Sequence, residues 1–185
     1  IIIQNVKVVI TGMIQDLKSN GQLKTLFCQR EIKQGIMFNI MSTKKVKPKS
    51  DLIKFLRGKA FWVRKETLKI AMIAPIRLAS SLSDVEIFVA LYYGKILKIN
   101  PKNPKWEKRD RFIISKPHGA ISLYPILADL GFLDERELAR VGQKDSFLGG
   151  IPDASVPGFE TVNGALGHGL GLACGVALAL KRKNL

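Results

Sequence analysis

The chain has two histidines, His118 and His168, and each lies in a glycine-containing segment. Histidine changes its charge near neutral pH, so it can bind an anion or move a proton. His118 precedes Gly119, and His168 lies between Gly167 and Gly169. Glycines at such positions let the backbone approach a ligand or a neighbouring element closely. These two segments are therefore the first candidates for a binding site.

The segment around His118 has the pattern of a strand, a turn and a helix. The apolar pair Ile113 and Ile114 indicates a short buried strand of a parallel sheet. Residues 115–120 then predict the opening of a helix that ends at Gly131. The free backbone N–H groups at a helix amino terminus form an anion site. Two interpretations of His118 follow: it binds an anion there, or it merely caps the helix.

The segment around His168 combines a glycine-rich first half with an apolar second half, over residues 157–181. The pattern predicts a tight loop that leads into a buried helix. Cys174 falls inside this helix, and we expect a small buried hydrophobic residue rather than a disulfide partner or a nucleophile. The other cysteine, Cys28, is far away in sequence, which favours a reducing compartment.

Helices are also predicted upstream and downstream of the strand. One runs from Ser50 or Asp51, either of which can cap it, to about Ile73. A second follows the S-x-x-E capping box of residues 83–86, and a third, short one spans residues 134–141. Short apolar strands that alternate with helices imply an α/β domain with a parallel central sheet flanked by helices.

Composition favours a soluble globular protein. The 185 residues can form one domain with a core, 46% of them are apolar, and no apolar run reaches the roughly 18 residues of a membrane span. The net charge is +15, but residues 42–70 contain ten basic and two acidic side chains, whereas residues 111–185 contain eight and seven. We interpret the basic segment as a solvated arm and do not expect a nucleic-acid or membrane partner.

The first forty residues match no motif. Met41 opens a lysine-rich polar segment that is typical of a flexible amino terminus. We therefore divide the chain into residues 1–50, an extension and basic arm, and residues 51–185, the functional domain. Our hypothesis is that Met41 is the natural start; the alternative is a real family-specific extension. The opening residues lack the pattern of a secretory signal, so we expect a cytoplasmic protein.

Three segments, in their order along the chain, resemble the diphosphate-binding amino-terminal domain of transketolases, which use thiamine diphosphate. They are RDRFIISKPHGA (residues 109–120), GGIPD (residues 149–153) and the segment with GALGHG (residues 164–169). The sequence SSLS at residues 80–83 also resembles the family's GHIGSSLS segment. The resemblance extends over residues 68–183.

The resemblance assigns cofactor-binding residues. The histidine of the family's SxGHA segment contacts the diphosphate, and His118 occupies that position. The family's GPLGQG loop lies against the cofactor, so the resemblance implies that Gly164, Ala165 and Leu166 bind it. The backbone at Gly164 would meet the aminopyrimidine, and Leu166 would pack on it. At the position of His168 the family has glutamine or histidine, which implies structural hydrogen bonding rather than proton transfer.

The sequence departs from the family at residues that would contact substrate. Arg77 replaces one histidine, Ile151 replaces another, and Pro117 replaces a glycine. His118 and Arg77 are therefore the predicted catalytic residues. Arg77 stays protonated and cannot be a general base, but its planar fork suits a carboxylate, a phosphate or a sulfonate. Because Ile151 offers no hydrogen bond, we expect an altered substrate preference.

Two parts of the family's site are not found in this sequence. The GDG motif, whose aspartate binds the magnesium ion, does not occur, so ligands of Mg²⁺ are expected beyond residue 185 and no metal ligand is assigned here. The second domain, which supplies a glutamate that activates the cofactor, is also absent. The resemblance therefore implies an incomplete domain, a second domain or subunit, and a dimer. The fragment alone is expected to be inactive.

Three functional hypotheses remain. The first is a transketolase-like transferase that moves a two-carbon ketol or related carbanion unit with an altered substrate, such as an anionic or deoxy sugar or a non-sugar keto compound. The second is ordinary ketol transfer between sugar phosphates, with compensating residues elsewhere. The third is a non-catalytic or partner-binding relative, or a basic polyanion-binding module. Binding of thiamine diphosphate and magnesium separates the first two from the third.

Overall fold

Helices make up most of the regular structure between residues 50 and 184. The computed structural model describes this range together with Ile2–Ile3 and Val6–Val9. In chain order the elements are β1 (Ile2–Ile3), β2 (Val6–Val9), α1 (Ser50–Ile73), α2 (Leu78–Leu82), α3 (Val85–Tyr93), β3 (Arg111–Ile114), α4 (Leu123–Asp129) and α5 (His168–Arg182). Two 3-10 helices, Pro117–Ser122 and Glu135–Arg140, precede and follow α4.

β3 is the strand around which the helices are arranged, and all four of its residues are buried. The strand order is β1-β2-β3, with β2 parallel to β3 in a register that pairs Val6 with Arg111 and Val9 with Ile114. Within residues 50–184, however, β3 is the single strand. The α/β class is thus supported in outline, whereas this range does not contain the parallel central sheet flanked by helices that the sequence predicted.

Successive side chains of β3 belong to two different hydrophobic clusters. Phe112 and Ile114 belong to the main core, in which the Phe112 ring meets the rings of Phe88 and Tyr92 edge to face, at centroid distances of 5.8 Å. Ile113 belongs to a smaller cluster with residues of α5. Because neighbouring residues of a strand point to opposite faces, helices cover β3 on both sides.

α1 confirms the predicted first helix from Ser50 to Ile73. Its buried residues recur three or four positions apart, which places them on one face of a helix: Ala60, Val63, Thr67 and Ile70. Pro75 follows the helix and cannot continue it.

The predicted capping box at the start of α3 is wrong. Asp84 is the N-cap of α3 and makes no side-chain cap hydrogen bond. The Ser83 hydroxyl donates instead to the Ser80 carbonyl at 2.9 Å, and it accepts a hydrogen bond from Lys116 at 2.5 Å. The Ser83 hydroxyl therefore bonds with Lys116, which is distant in sequence, and does not cap α3 as the local pattern predicted.

The prediction of a buried helix around Cys174 is also wrong in part. α5 forms, but only one face of it is buried, by Gly169, Ala173, Ala177 and Leu180. Cys174 is exposed, and so are Leu172 and Leu178, at 39% and 65% of their surface. The run is apolar on all sides, so its composition does not reveal which face packs against the strand.

The helix predicted at residues 115–131 begins in a tighter geometry, and the one predicted at residues 134–141 has that tighter geometry throughout. Pro117–Ser122 is a 3-10 helix that leads directly into α4, and Gly131 follows α4 with φ of +84°, as expected for a terminating glycine. Glu135–Arg140 is also a 3-10 helix, and the Asp134 carboxylate caps it by accepting from the Arg136 amide.

The hypothesis that Met41 is the natural start concerns residues outside those that the structure describes, and it stays a prediction. So does most of the predicted arm at residues 1–50. No helix in the described part of the chain has both the length and the apolar character needed to cross a bilayer.

Candidate functional site

The glycine-rich loop lies against the carboxyl end of β3. The Gly167 amide donates to the Ser115 carbonyl at 3.0 Å, directly after the strand. The Asn163 side-chain amide donates to the Ile114 carbonyl at 2.6 Å. The residues between Asn163 and Gly167 are therefore held beside the turn that carries His118.

Two glycines are required for this close approach. Gly167 has a φ of +88°, a backbone conformation that residues with a Cβ rarely adopt. A Cβ on Gly169 would lie only 2.7 Å from Cα of Ser115, so no larger residue fits there without moving α5 or β3. The glycine spacing seen in the sequence thus has a steric cause at the strand end.

His118 lies in the 3-10 helix after β3 and is half-buried. The helix begins after Lys116, and among the described residues no hydrogen bond uses the His118 imidazole, so the structure does not support His118 as a cap. The His118 carbonyl accepts from the Ser81 hydroxyl at 3.1 Å, and the same hydroxyl lies 3.3 Å from the Arg77 carbonyl. Ser81 thus connects the segments of the two predicted catalytic residues.

Arg77 itself immediately precedes α2, and its side chain is exposed. No ion pair or hydrogen bond of its guanidinium group is found among the described residues. An exposed guanidinium without such a partner is available to an anionic ligand.

The GGIPD segment joins the site through Tyr124. The Tyr124 hydroxyl donates to the Gly149 carbonyl at 2.8 Å and lies 3.4 Å from the Ile151 carbonyl. Burial, and secondarily the charge of Asp153, raises the pKa of Tyr124, so the hydroxyl keeps its proton and remains a donor. A Cβ on Gly164 would lie 3.6 Å from Cδ1 of Ile151, which places this isoleucine beside the loop.

A half-buried ion pair anchors the chain before the glycine-rich loop. Arg109 donates to both carboxylate oxygens of Glu160, at 2.8 and 2.9 Å, and Arg111 lies 3.8 Å from the same carboxylate. Burial lowers the pKa of Arg111, whereas the charge of Glu160 opposes this change. The pair connects the residues before β3 with the segment that leads to Asn163.

The predicted cofactor-binding residues thus have different surroundings. His118 is half-buried, and Gly164, Ala165 and Leu166 form an exposed loop in which Leu166 has 70% of its surface exposed. His168 starts α5 and is exposed. None of these residues lines the cavity of about 470 Å³ that lies between α1, α4 and Glu135–Arg140. Within the described ranges, no group of three or more His, Cys, Asp or Glu side chains could hold a metal ion.

Sequence reasoning missed several residues that build the site. Lys116, Asn163 and Tyr124 each make a buried or half-buried long-range contact, and no role was predicted for any of them from the sequence, although Lys116 lies within RDRFIISKPHGA. One signal was available for Lys116: a charge next to a buried strand must find a partner, because an unpaired buried charge is costly. The hydroxyl of Ser115 and the side-chain oxygen of Asn163 are buried without a hydrogen-bond partner among the described residues.

Comparison with known proteins identifies a family and several relatives. The family described as "Transketolase, thiamine diphosphate binding domain" matches residues 79–185, more than half of the chain. An apulose-4-phosphate transketolase subunit of Phocaeicola vulgatus is 40% identical over 104 residues, which are 56% of this chain and 37% of the relative. The 6-deoxy-6-sulfo-D-fructose transketolase subunit SqwG of Clostridium sp. (strain MSTE9) is 35% identical over 132 residues, 70% of this chain and 48% of the relative.

A transketolase of Aquifex aeolicus is 44% identical over 95 residues, which are 50% of this chain and 14% of the relative. The chain therefore spans less than half of the length of each of these three relatives. The matched region contains the His118 turn and the glycine-rich loop, which meet at the carboxyl end of β3, and the GGIPD segment, whose Ile151 lies beside that loop. The chain belongs to the transketolase family, and residues 79–185 match its thiamine diphosphate-binding domain.

Proposed function

We propose that the protein is part of a thiamine diphosphate-dependent transferase that moves a two-carbon ketol or related carbanion unit. The observation that carries the proposal is the bond from the Gly167 amide to the Ser115 carbonyl, at 3.0 Å. It holds the glycine-rich loop next to the turn of His118, although the two are separated by more than forty residues. Both are the segments that the family resemblance assigns to the cofactor.

The residues present fit this cofactor. Ser115 and Asn163 each have a buried polar atom without a partner in the described structure, so the strand end has unused hydrogen-bonding capacity. Leu166 offers an exposed apolar surface to a ring. When bound, thiamine diphosphate stabilises a carbanion, which is the chemistry that transfer of a ketol unit requires.

In this proposal His118 binds the diphosphate, since its imidazole is half-buried and makes no hydrogen bond to a described residue. Gly164, Ala165 and Leu166 contact the rings of the cofactor. Arg77 binds an anionic group of the substrate, because its exposed guanidinium can donate two parallel hydrogen bonds to a phosphate, a sulfonate or a carboxylate. Its permanent charge makes it a binding group rather than a base.

The assembled enzyme includes parts that this chain does not provide. We propose a second domain or subunit that completes the active site, since two relatives are named as subunits of transketolases. A dimer, Mg²⁺ bound by residues beyond 185, a cytoplasmic location and a role in carbohydrate metabolism belong to the same proposal. We also propose that β3 is one strand of a parallel sheet, which its four buried residues and parallel partner β2 support.

The test is cofactor binding by the full-length protein together with its partner. Calorimetric titration with thiamine diphosphate and magnesium should give saturable binding to the wild type. H118A should weaken this binding by about tenfold or more, because it removes a diphosphate ligand. The matched control is H168A, which removes the other histidine and should leave the affinity within about twofold.

If the wild type shows no saturable binding at millimolar cofactor, the hypothesis of a thiamine diphosphate-dependent enzyme is excluded. A non-catalytic relative or a polyanion-binding relative is then favoured. Equal effects of H118A and H168A would mean that His118 is not a cofactor ligand. Titration of the same preparation with a polyanion such as heparin at physiological salt distinguishes the two remaining possibilities.

A further inference from the structure

A buried ion pair joins the segment after Arg77 to the turn of His118. The Lys116 ammonium group donates to the Ser80 carbonyl at 2.9 Å, to the Ser83 hydroxyl at 2.5 Å and to the Asp84 carboxylate at 3.2 Å. The side chain of Asp84 is 1% exposed and that of Lys116 is 15% exposed. All three acceptors lie in the α2–α3 region, whereas Lys116 directly precedes the 3-10 helix Pro117–Ser122.

The contacts of Lys116 leave it no capacity to bind a ligand. An ammonium group has three donors, and its three acceptors here use all of them. Lys116 therefore cannot contact the cofactor or the substrate while these bonds persist. Its action on the site has to be indirect, through the positions of the two segments that it connects.

The Asp84 carboxylate also packs directly against the turn. A Cβ on Gly119, next to His118, would lie 2.0 Å from Oδ2 of Asp84, so the carboxylate occupies the space that any other residue at 119 would need. The Ser81 hydroxyl adds a bond to the His118 carbonyl at 3.1 Å. The turn is thus held against the α2–α3 region both by the ion pair and by the hydrogen bond from the Ser81 side chain.

We propose that the Lys116–Asp84 ion pair positions the site: it fixes the His118 turn against the segment of Arg77. The pair thereby determines the affinity for thiamine diphosphate, although neither residue contacts it. The inference rests on the proposed function, because it assumes that His118 and Arg77 serve one site. Lys116 and Asp84 are positioning residues, which distinguishes them from His118 as a ligand.

The test compares the variant K116M with K59M in the full-length protein and its partner. Lys59 also forms an ion pair with an aspartate, Asp129 at 2.7 Å, but none of the predicted site residues lines the cavity beside it. K116M should weaken binding of thiamine diphosphate by about tenfold, whereas K59M should change it by less than about twofold. Thermal unfolding of both variants shows whether a general loss of stability accounts for the loss of affinity in K116M.

A second variant keeps the test valid if K116M does not fold. D84N/K116M removes both charges and so avoids an unpaired buried carboxylate. It should still weaken cofactor binding by about tenfold. Hydrogen exchange of the amides in residues 118–122 is the readout that does not require the cofactor, and it should accelerate in both Lys116 variants but not in K59M.

The outcomes separate this inference from the proposed function. If the wild type binds no cofactor, the proposed function fails, and hydrogen exchange alone then decides whether the pair holds the turn. If the wild type binds and the Lys116 variants bind equally well, the positioning role is overturned. Equal loss of affinity in K116M and K59M would also overturn it, since general destabilisation would then account for the effect.

Discussion

Single glycines determine how closely α5 approaches β3. Gly169 faces Ser115 at a distance that excludes a side chain, whereas Gly171, two residues later in the same helix, has no atom within 4 Å of where a Cβ would lie. The sequence alone does not distinguish these two glycines. Substitution with alanine should therefore have opposite effects on stability at the two positions. Gly169 is sterically required, whereas Gly171 only lowers the helix propensity.

G169A should lower the free energy of unfolding by about 1–3 kcal/mol, because the added methyl group overpacks the strand end. G171A should instead leave stability unchanged or raise it by up to about 1 kcal/mol. Chemical denaturation of the two variants and the wild type gives both values. Similar destabilisation by both would show that backbone conformation, and not the contact with Ser115, requires glycine in this helix.

Arg77 can be tested by substitution with histidine, the residue that the family resemblance expects. If Arg77 binds an anionic group of the substrate, R77H should raise KM for a phosphorylated or sulfonated keto sugar by about tenfold or more. Steady-state kinetics of the assembled enzyme measure this, and R136H, which alters an arginine on the 3-10 helix Glu135–Arg140, is the control.

A gain of activity on sugar phosphates in R77H would contradict the anion-binding role. It would favour ordinary ketol transfer, with histidine restoring a hydrogen-bonding group that this chain lacks. An unchanged KM would instead mean that Arg77 does not contact the substrate.

At the scale of elements, the site is assembled by side chains that connect loops to β3. Tyr124 of α4 holds the GGIPD segment, Asn163 holds the glycine-rich loop, and Glu160 joins the preceding chain to Arg109. Each contact spans more than twenty residues of sequence. The loops themselves have no regular structure, so these few bonds determine where they lie.

Breaking the Arg109–Glu160 pair should therefore loosen the loop. E160Q keeps the volume of the side chain but removes its charge, and it should lower the free energy of unfolding by about 1–3 kcal/mol. Hydrogen exchange at residues 161–167 should accelerate at the same time. D134N provides the control, because its partner Arg136 is exposed; equal effects of the two variants would show that Glu160 is not an anchor.

At the scale of the whole molecule, one carboxylate connects three helices. Asp129 at the end of α4 accepts from Lys59 of α1 at 2.7 Å and from Tyr93 of α3 at 2.6 Å. Burial raises the pKa of Asp129, but the hydrogen bonds from Lys59 and Tyr93 and the charge of Lys59 outweigh it, so the net pKa is lowered. The ionised form is therefore the one that stabilises the fold.

A lowered pKa means that this stabilisation is fully present above the ordinary carboxyl pKa of about 4 and is lost as the pH falls through the folded-state pKa. At neutral pH, D129N should be less stable than the wild type by about 1 kcal/mol or less, as is usual for partly exposed pairs. Denaturation measured between pH 7 and pH 3 should show the difference shrinking with acidification. A difference that stays constant would contradict the assignment.

Local patterns predicted those features that depend on neighbours in sequence. The bounds of α1 followed from its apolar period and from Pro75, and the end of α4 followed from Gly131. The capping box at Ser83 failed because Lys116, thirty-three residues away, competes for the hydroxyl. The burial of Cys174 failed because α5 is apolar on every side, and only the position of β3 selects the face that packs.

By itself, the sequence determined the family, through the order of its motifs, and the segments that are rich in glycine. Those properties depend on residue type and spacing along the chain. Only the tertiary structure decided which distant residues meet. Lys116 pairs with Asp84, the Asn163 side chain donates to the Ile114 carbonyl at the end of β3, and Gly169 lies against Ser115. The physical reason is that such contacts depend on distances between segments far apart in sequence, which folding sets and residue spacing does not.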